Sequence, residues 1–126
     1  MLRIAFDLDD VICTRDSGIA TADKYKTCKP VARYVKIVND CFEAGHHVTI
    51  YTARGMSIFK GDVERINIEL RQLTETHLRQ WGVKYHELIM GKAHYDVLID
   101  DKVMNSEDVS DLSEIEGFCA DWKGTR

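Results

Sequence analysis

"IAFDLDDVICT", residues 4–14, begins as an apolar run and ends in an acidic cluster of Asp7, Asp9 and Asp10. The run formed by Leu2, Ile4, Ala5 and Phe6 is too short for a helix and reads as a buried strand over residues 3–8. Carboxylates this close repel one another, so the cluster calls for a cationic partner or a chemical task. Alternation along an extended exit from the strand sends Asp7 and Asp9 to one side and Asp10 to the other. Asp10 is therefore expected to be a loop residue that points away from the site.

Working outward, three more short apolar runs have the same character: "HHVTIYT" (46–52), "HELIM" (86–90) and "DVLID" (96–100). Each is expected to be a strand. Residues 30–44 place Val31, Tyr34, Val35, Val38 and Phe42 along one helical face, with Pro30 suited to a first helical position and Gly45 to a stop. Residues 62–81 repeat the pattern with Val63, Ile66, Leu70, Leu73, Leu78 and Trp81, capped by Asp62 and followed by Gly82. The acidic tail from residue 105 suggests one or two short helices. Strands alternating with helices imply βαβ units, an α/β fold and a mostly parallel central sheet flanked by helices.

The whole chain of 126 residues fits one domain, read as 1–126. Its 44% hydrophobic and 30% charged residues are those of a globular protein. A net charge of −4 argues against nucleic acid and against an anionic membrane as partner. No apolar run is long enough for a transmembrane helix. The N-terminus reaches its acids too early for a signal peptide, so the protein reads as cytoplasmic. Cys13, Cys28, Cys41 and Cys119 show no zinc-like spacing and read as reduced, partly buried thiols. Cys13 lies near the acids but has no neighbouring histidine to activate it as a nucleophile.

Ligands of parallel sheets gather beyond the carboxyl ends of the strands. At those ends stand Asp7 and Asp9, then Thr52, Ala53 and Arg54, then Gly91 and Lys92, then Asp100 and Asp101. Carboxylates, a hydroxyl and an ammonium on one rim suit phosphoryl transfer. A carboxylate attacks phosphorus, Mg²⁺ lets the two anions meet, and a second acid moves the proton.

Four motifs carry a resemblance: "IAFDLDDV", "VTIYTAR", "MGKAHYD" and "VLIDD", in this order over residues 2–101. With them the chain resembles the haloacid dehalogenase (HAD) superfamily of phosphohydrolases. The resemblance implies a single Rossmann-like core. It makes Asp7 the nucleophile and a metal ligand, and Asp9 the general acid/base with a backbone carbonyl on the metal. Thr52 and Lys92 would hold the phosphoryl group. Asp100 would ligate Mg²⁺, and Asp101 would bind the metal or orient its water. An acid at Asp9 together with Asp100 and Asp101 favours a Mg²⁺-dependent phosphatase over a dehalogenase. Neither the gap from Val11 to Pro30 nor that from Arg54 to Lys92 can hold a separate cap domain. Capless relatives often borrow a neighbouring subunit to cover the site, which leaves room for a homo-oligomer, or act on large substrates.

A finer similarity, to capsule or polysaccharide biosynthesis phosphatases, rests on "FDLDDVICT", "GHHVTIYTARGM" and "LRQWGVKYHELIMGKAHYDVLIDDK". It implies a small phosphorylated metabolite, a sugar or polyol phosphate. Substrate contacts are expected from Thr52, Ala53, Arg54, Lys92 and His94, with Lys60 a further candidate. Arg54 is equally suited to an ion pair with a rim carboxylate. A nucleotide phosphatase or a phosphotransferase would use the same residues. A receiver-type signalling domain would need its phosphorylated Asp at the end of the third strand, where "LIMGK" has none. A non-catalytic binding protein on this core is expected to have lost a motif residue, and all are present.

Overall fold

The computed structural model describes residues 1–16 and 18–121. Two compact units divide the chain, Met1–Asp96 and Val97–Arg126. The first holds β1 (Arg3–Asp7), β2 (Cys13–Thr14), a 3-10 turn (Ala22–Thr27), β3 (Lys29–Pro30), α1 (Ala32–Glu43), β4 (His47–Thr52), α2 (Val63–Gln80) and β5 (Glu87–Met90). The second holds a 3-10 turn (Ser106–Asp108) and α3 (Leu112–Ala120).

β1, β4 and β5 form a parallel sheet in the order β1-β4-β5. The register aligns Phe6 with Ile50 and Ile50 with Leu88, so a row of apolar side chains crosses the sheet. Val48 and Ile50 are fully buried, and α1 packs on β4 while α2 packs on β5. A mixed α/β fold with a parallel sheet and helices is thus what the strand and helix patterns specified. Asp62 caps α2 by accepting from the Arg65 N–H at 3.1 Å. Among the described residues, no helix is long and apolar enough to cross a membrane.

Three local expectations are corrected. Pro30 does not open α1. It lies in β3, paired with Cys13 of β2 in a small antiparallel ribbon, and α1 starts after Val31. The buried face of α1 comprises Tyr34, Ile37, Val38 and Cys41, a stripe rotated from the expected one. Residues 96–100 form no strand. A strand exists only through a ladder partner, and this stretch has none; Val97, Leu98 and Ile99 are all exposed.

Candidate functional site

Asp7 ends β1, and its Oδ1 accepts the Leu8 N–H at 2.9 Å. That bond holds one carboxylate oxygen and directs the other to Lys92, whose Nζ lies 3.4 Å from Oδ2. Burial pushes Asp7 above the ordinary carboxylate range, against the opposing pull of Lys92 and of the Leu8 N–H. Burial also works against the Lys92 ammonium, but Tyr95 and Asp7 hold its proton and its pKa ends above the ordinary lysine value.

Lys92 is placed by the sheet. Its N–H donates to the Thr52 carbonyl at 3.0 Å, extending the β4–β5 pairing beyond Met90. Gly91 makes this approach feasible. Its φ is +96°, and a Cβ there would stand 2.9 Å from Val63 Cγ2 of α2. The buried Thr52 hydroxyl accepts the Arg54 N–H at 3.1 Å.

After β1 the chain turns tightly, with the Leu8 carbonyl accepting the N–H groups of Val11, Ile12 and Cys13. Asp10 takes a left-handed φ of +68°, and its exposed carboxylate pairs with Arg15 at 3.4 Å. Against the expectation that it points away, Asp10 lines the cavity, because the left-handed turn there breaks the strand's alternation.

Asp9 faces a different partner. Arg54 grips both of its oxygens, Nε to Oδ2 at 3.0 Å and Nη2 to Oδ1 at 3.1 Å. The Arg54 side chain has no exposed surface. Its Nη1 donates to Thr74 Oγ1 at 3.1 Å and faces His77 Nδ1 at 3.2 Å; its Nη2 also donates to Cys28 Sγ at 3.1 Å. Guanidinium is always a donor, so His77 Nδ1 accepts. Burial and the adjacent Arg54 charge both lower the His77 pKa. Of the two roles open to Arg54, the geometry favours the ion pair: its donors are spent on protein groups rather than turned to a substrate.

These residues border one cavity of about 290 Å³ beyond the carboxyl ends of the strands. Asp7, Asp9, Thr52, Ala53, Arg54, Lys92 and His94 all line it. Lys60 is not among its lining residues, and Asp100 and Asp101 belong to the second unit, where both are exposed. Sequence reasoning missed Arg15, Lys24 and Tyr25. The basic residues between 15 and 29 were the available signal for the first two. Tyr25 has an aromatic ring beneath the Arg54 guanidinium at 5.0 Å and a hydroxyl that accepts the Gly55 N–H at 2.9 Å. With these residues, four cationic side chains face three carboxylates around the cavity, a balance suited to an anionic ligand.

No family model and no curated protein matches the chain. A solved structure to which it is similar is a structural-genomics target from Vibrio cholerae, 24% identical, with a TM-score of 0.78 over 94% of this chain and 96% of that one. At that identity the likeness speaks for the α/β fold alone.

Proposed function

We propose that this protein is a Mg²⁺-dependent phosphatase of small phosphomonoesters, working through an aspartyl-phosphate on Asp7, with sugar or polyol phosphates as the substrate class. One observation carries the reading: Asp7, Asp9, Thr52 and Lys92 converge on a single cavity beyond the carboxyl ends of parallel strands. The substrate class rests on the sequence resemblance.

A divalent cation fits the oxygen donors present. Burial leaves the Asp7 carboxylate incompletely offset by Lys92, and a hard cation held by that carboxylate and by the Asp9 backbone carbonyl would supply the remainder. Bound there, Mg²⁺ would shield the charge between the Asp7 carboxylate and the phosphate. The Asp7 oxygen that faces Lys92, Oδ2, attacks phosphorus, the Asp7 O–P bond forms, and the bond from phosphorus to the leaving oxygen breaks. Lys92 and the Thr52 hydroxyl donate to the phosphoryl oxygens as charge builds on them. Asp9 protonates the leaving oxygen and then takes a proton from the water that releases phosphate from Asp7. Because Arg54 engages both Asp9 oxygens, each proton transfer requires one of them to swing free.

The test is phosphate release from an aryl phosphate and from a panel of sugar phosphates, polyol phosphates and nucleotides. Turnover should require Mg²⁺, stop with chelator, and favour the sugar and polyol esters. Absence of turnover across the panel with Mg²⁺, Mn²⁺ or Co²⁺ overturns the enzyme reading. A preference for nucleotides overturns the substrate class.

A further inference from the structure

Two sulfurs lie against the Asp9–Arg54 ion pair, and the proton-transfer scheme uses neither. Cys13 Sγ donates to Asp9 Oδ1 at 3.4 Å, and Cys28 Sγ lies 3.7 Å from the same oxygen and 3.1 Å from Arg54 Nη2. The two Sγ atoms and the Asp9 oxygen all fall within 4.8 Å of one another. The ribbon explains the closeness. Cys13 pairs with Pro30 across β2–β3, and Cys28 stands two residues before Pro30. Diagonal positions of an antiparallel pair share a face.

The cluster contains three metal-ligating side chains, but a cation there would displace the Arg54 guanidinium, which already contacts all three. A redox role needs no such displacement. Cys13 is buried and Cys28 half-buried, so Cys28 is the more accessible residue of the two.

We propose that Cys13 and Cys28 are a peroxide-sensitive modification site that closes a reversible disulfide beside Asp9 and Arg54. Hydrogen peroxide is the oxidant. Cys28 Sγ attacks one peroxide oxygen, the S–O bond forms, the O–O bond breaks, and the departing hydroxide takes up the thiol proton to leave as water. Cys13 Sγ then attacks the sulfenic sulfur. The S–S bond forms, the S–O bond breaks, and the oxygen departs with the Cys13 proton as a second water. Two thiols and one peroxide thus give one disulfide and two waters. The sulfurs must close to about 2.05 Å. This draws Cys28 from Arg54 and Cys13 from Asp9, and so disturbs the ion pair that holds the proton-transfer carboxylate. That last consequence rests on the phosphatase reading; formation of the disulfide does not.

The full chain is treated with peroxide, alkylated, digested with trypsin and weighed by mass spectrometry. Peptides 4–15 and 27–33, which carry Cys13 and Cys28, should appear joined and lighter than their sum by two hydrogens. Alkylatable thiols should fall from four to two, and reductant should restore them. Cys28→Ser and Cys13→Ser should each abolish the joined species. Retention of all four thiols at peroxide levels that oxidise glutathione overturns the proposal, as does linkage through Cys41 or Cys119. Phosphate release is followed in parallel and should fall and recover with the disulfide; a joined species with unchanged turnover overturns the control of Asp9. If the reduced protein has no turnover, the phosphatase reading fails while the peptide result still decides the cysteine pair.

Discussion

The two ends of the sheet are both rich in polar side chains, and they use them differently. At the amino end, His46 Nδ1 accepts the Leu2 N–H and His86 Nδ1 accepts the Val48 N–H, each at 3.0 Å. His86 stacks between Phe42 and His47, and His47 Nε2 meets Glu87 at 3.1 Å. These imidazoles satisfy the backbone groups where strands begin. At the carboxyl end, Asp7, Asp9, Lys92 and Arg54 pair mainly with one another around an open cavity. Side chains that complete the backbone stabilise the fold; side chains held by each other at a cavity have chemistry to offer.

The contrast breaks most sharply at Asp7. Asp7→Asn should lower phosphate release by roughly 10⁴-fold or more, the scale seen when a covalent nucleophile is lost. The same substitution should help the metal-free fold. Burial raises Asp7, so the folded chain holds this proton more tightly than the unfolded chain, and the stability that provides is lost as pH climbs through the raised value. Thermal melts should therefore show Asp7→Asn more stable than wild type at neutral pH, with the advantage gone below the unfolded value of 3.8. An asparagine variant less stable at neutral pH would mean that Asp7 holds the fold together as the histidines do.

Next in size is Arg54→Met, which leaves the Asp9 carboxylate only its longer ion pair with the Arg15 guanidinium, at 3.8 Å. Breaking such a buried pair costs about 3–5 kcal/mol, and the lower end is expected because Asp9 retains some exposure. Urea unfolding measures it; a loss under about 1 kcal/mol would class the pair with exposed ion pairs. Gly91→Ala should cost about 1–3 kcal/mol through its contact with Val63. Val63→Ala in the same chain should recover part of that, and a double-mutant cycle with strictly additive losses would remove the contact from the account. The smallest effect belongs to the amino end. His86→Ala should cost about 1–2 kcal/mol for the orphaned Val48 N–H while turnover stays within twofold. A large loss of turnover there would erase the distinction between the two ends.

What could be read from the chain follows from how far each feature's partners lie. β1, β4 and β5 could be located as short apolar runs, but they are not buried throughout as those runs suggest: burial alternates, and Ala5, Tyr51 and Ile89 are exposed. The β2–β3 ribbon pairs two residues with two, too few to show a period. Residues 97–99 have the composition of a strand, but composition carries no information about whether a neighbour is present to pair. On α2, Leu70 and Leu78 fit the apolar stripe, whereas buried Thr74 and His77 break it. Their burial makes sense only with Arg54, which is 20 and 23 residues away. At the cavity, the motif order was enough to single out Asp7, Thr52 and Lys92. The choice between a substrate and Asp9 as the partner of Arg54 needed coordinates.

The grip of Arg54 also bears on the order of folding. Its bond to Asp9 spans 45 residues, that to Cys28 spans 26 and that to His77 spans 23. Closing such separations costs chain entropy before the contacts repay it. The Arg54 guanidinium therefore gains its full set of partners only when α2 supplies Thr74 and His77, which ties the carboxylate of β1's exit to residues of a helix more than 60 positions further along the chain.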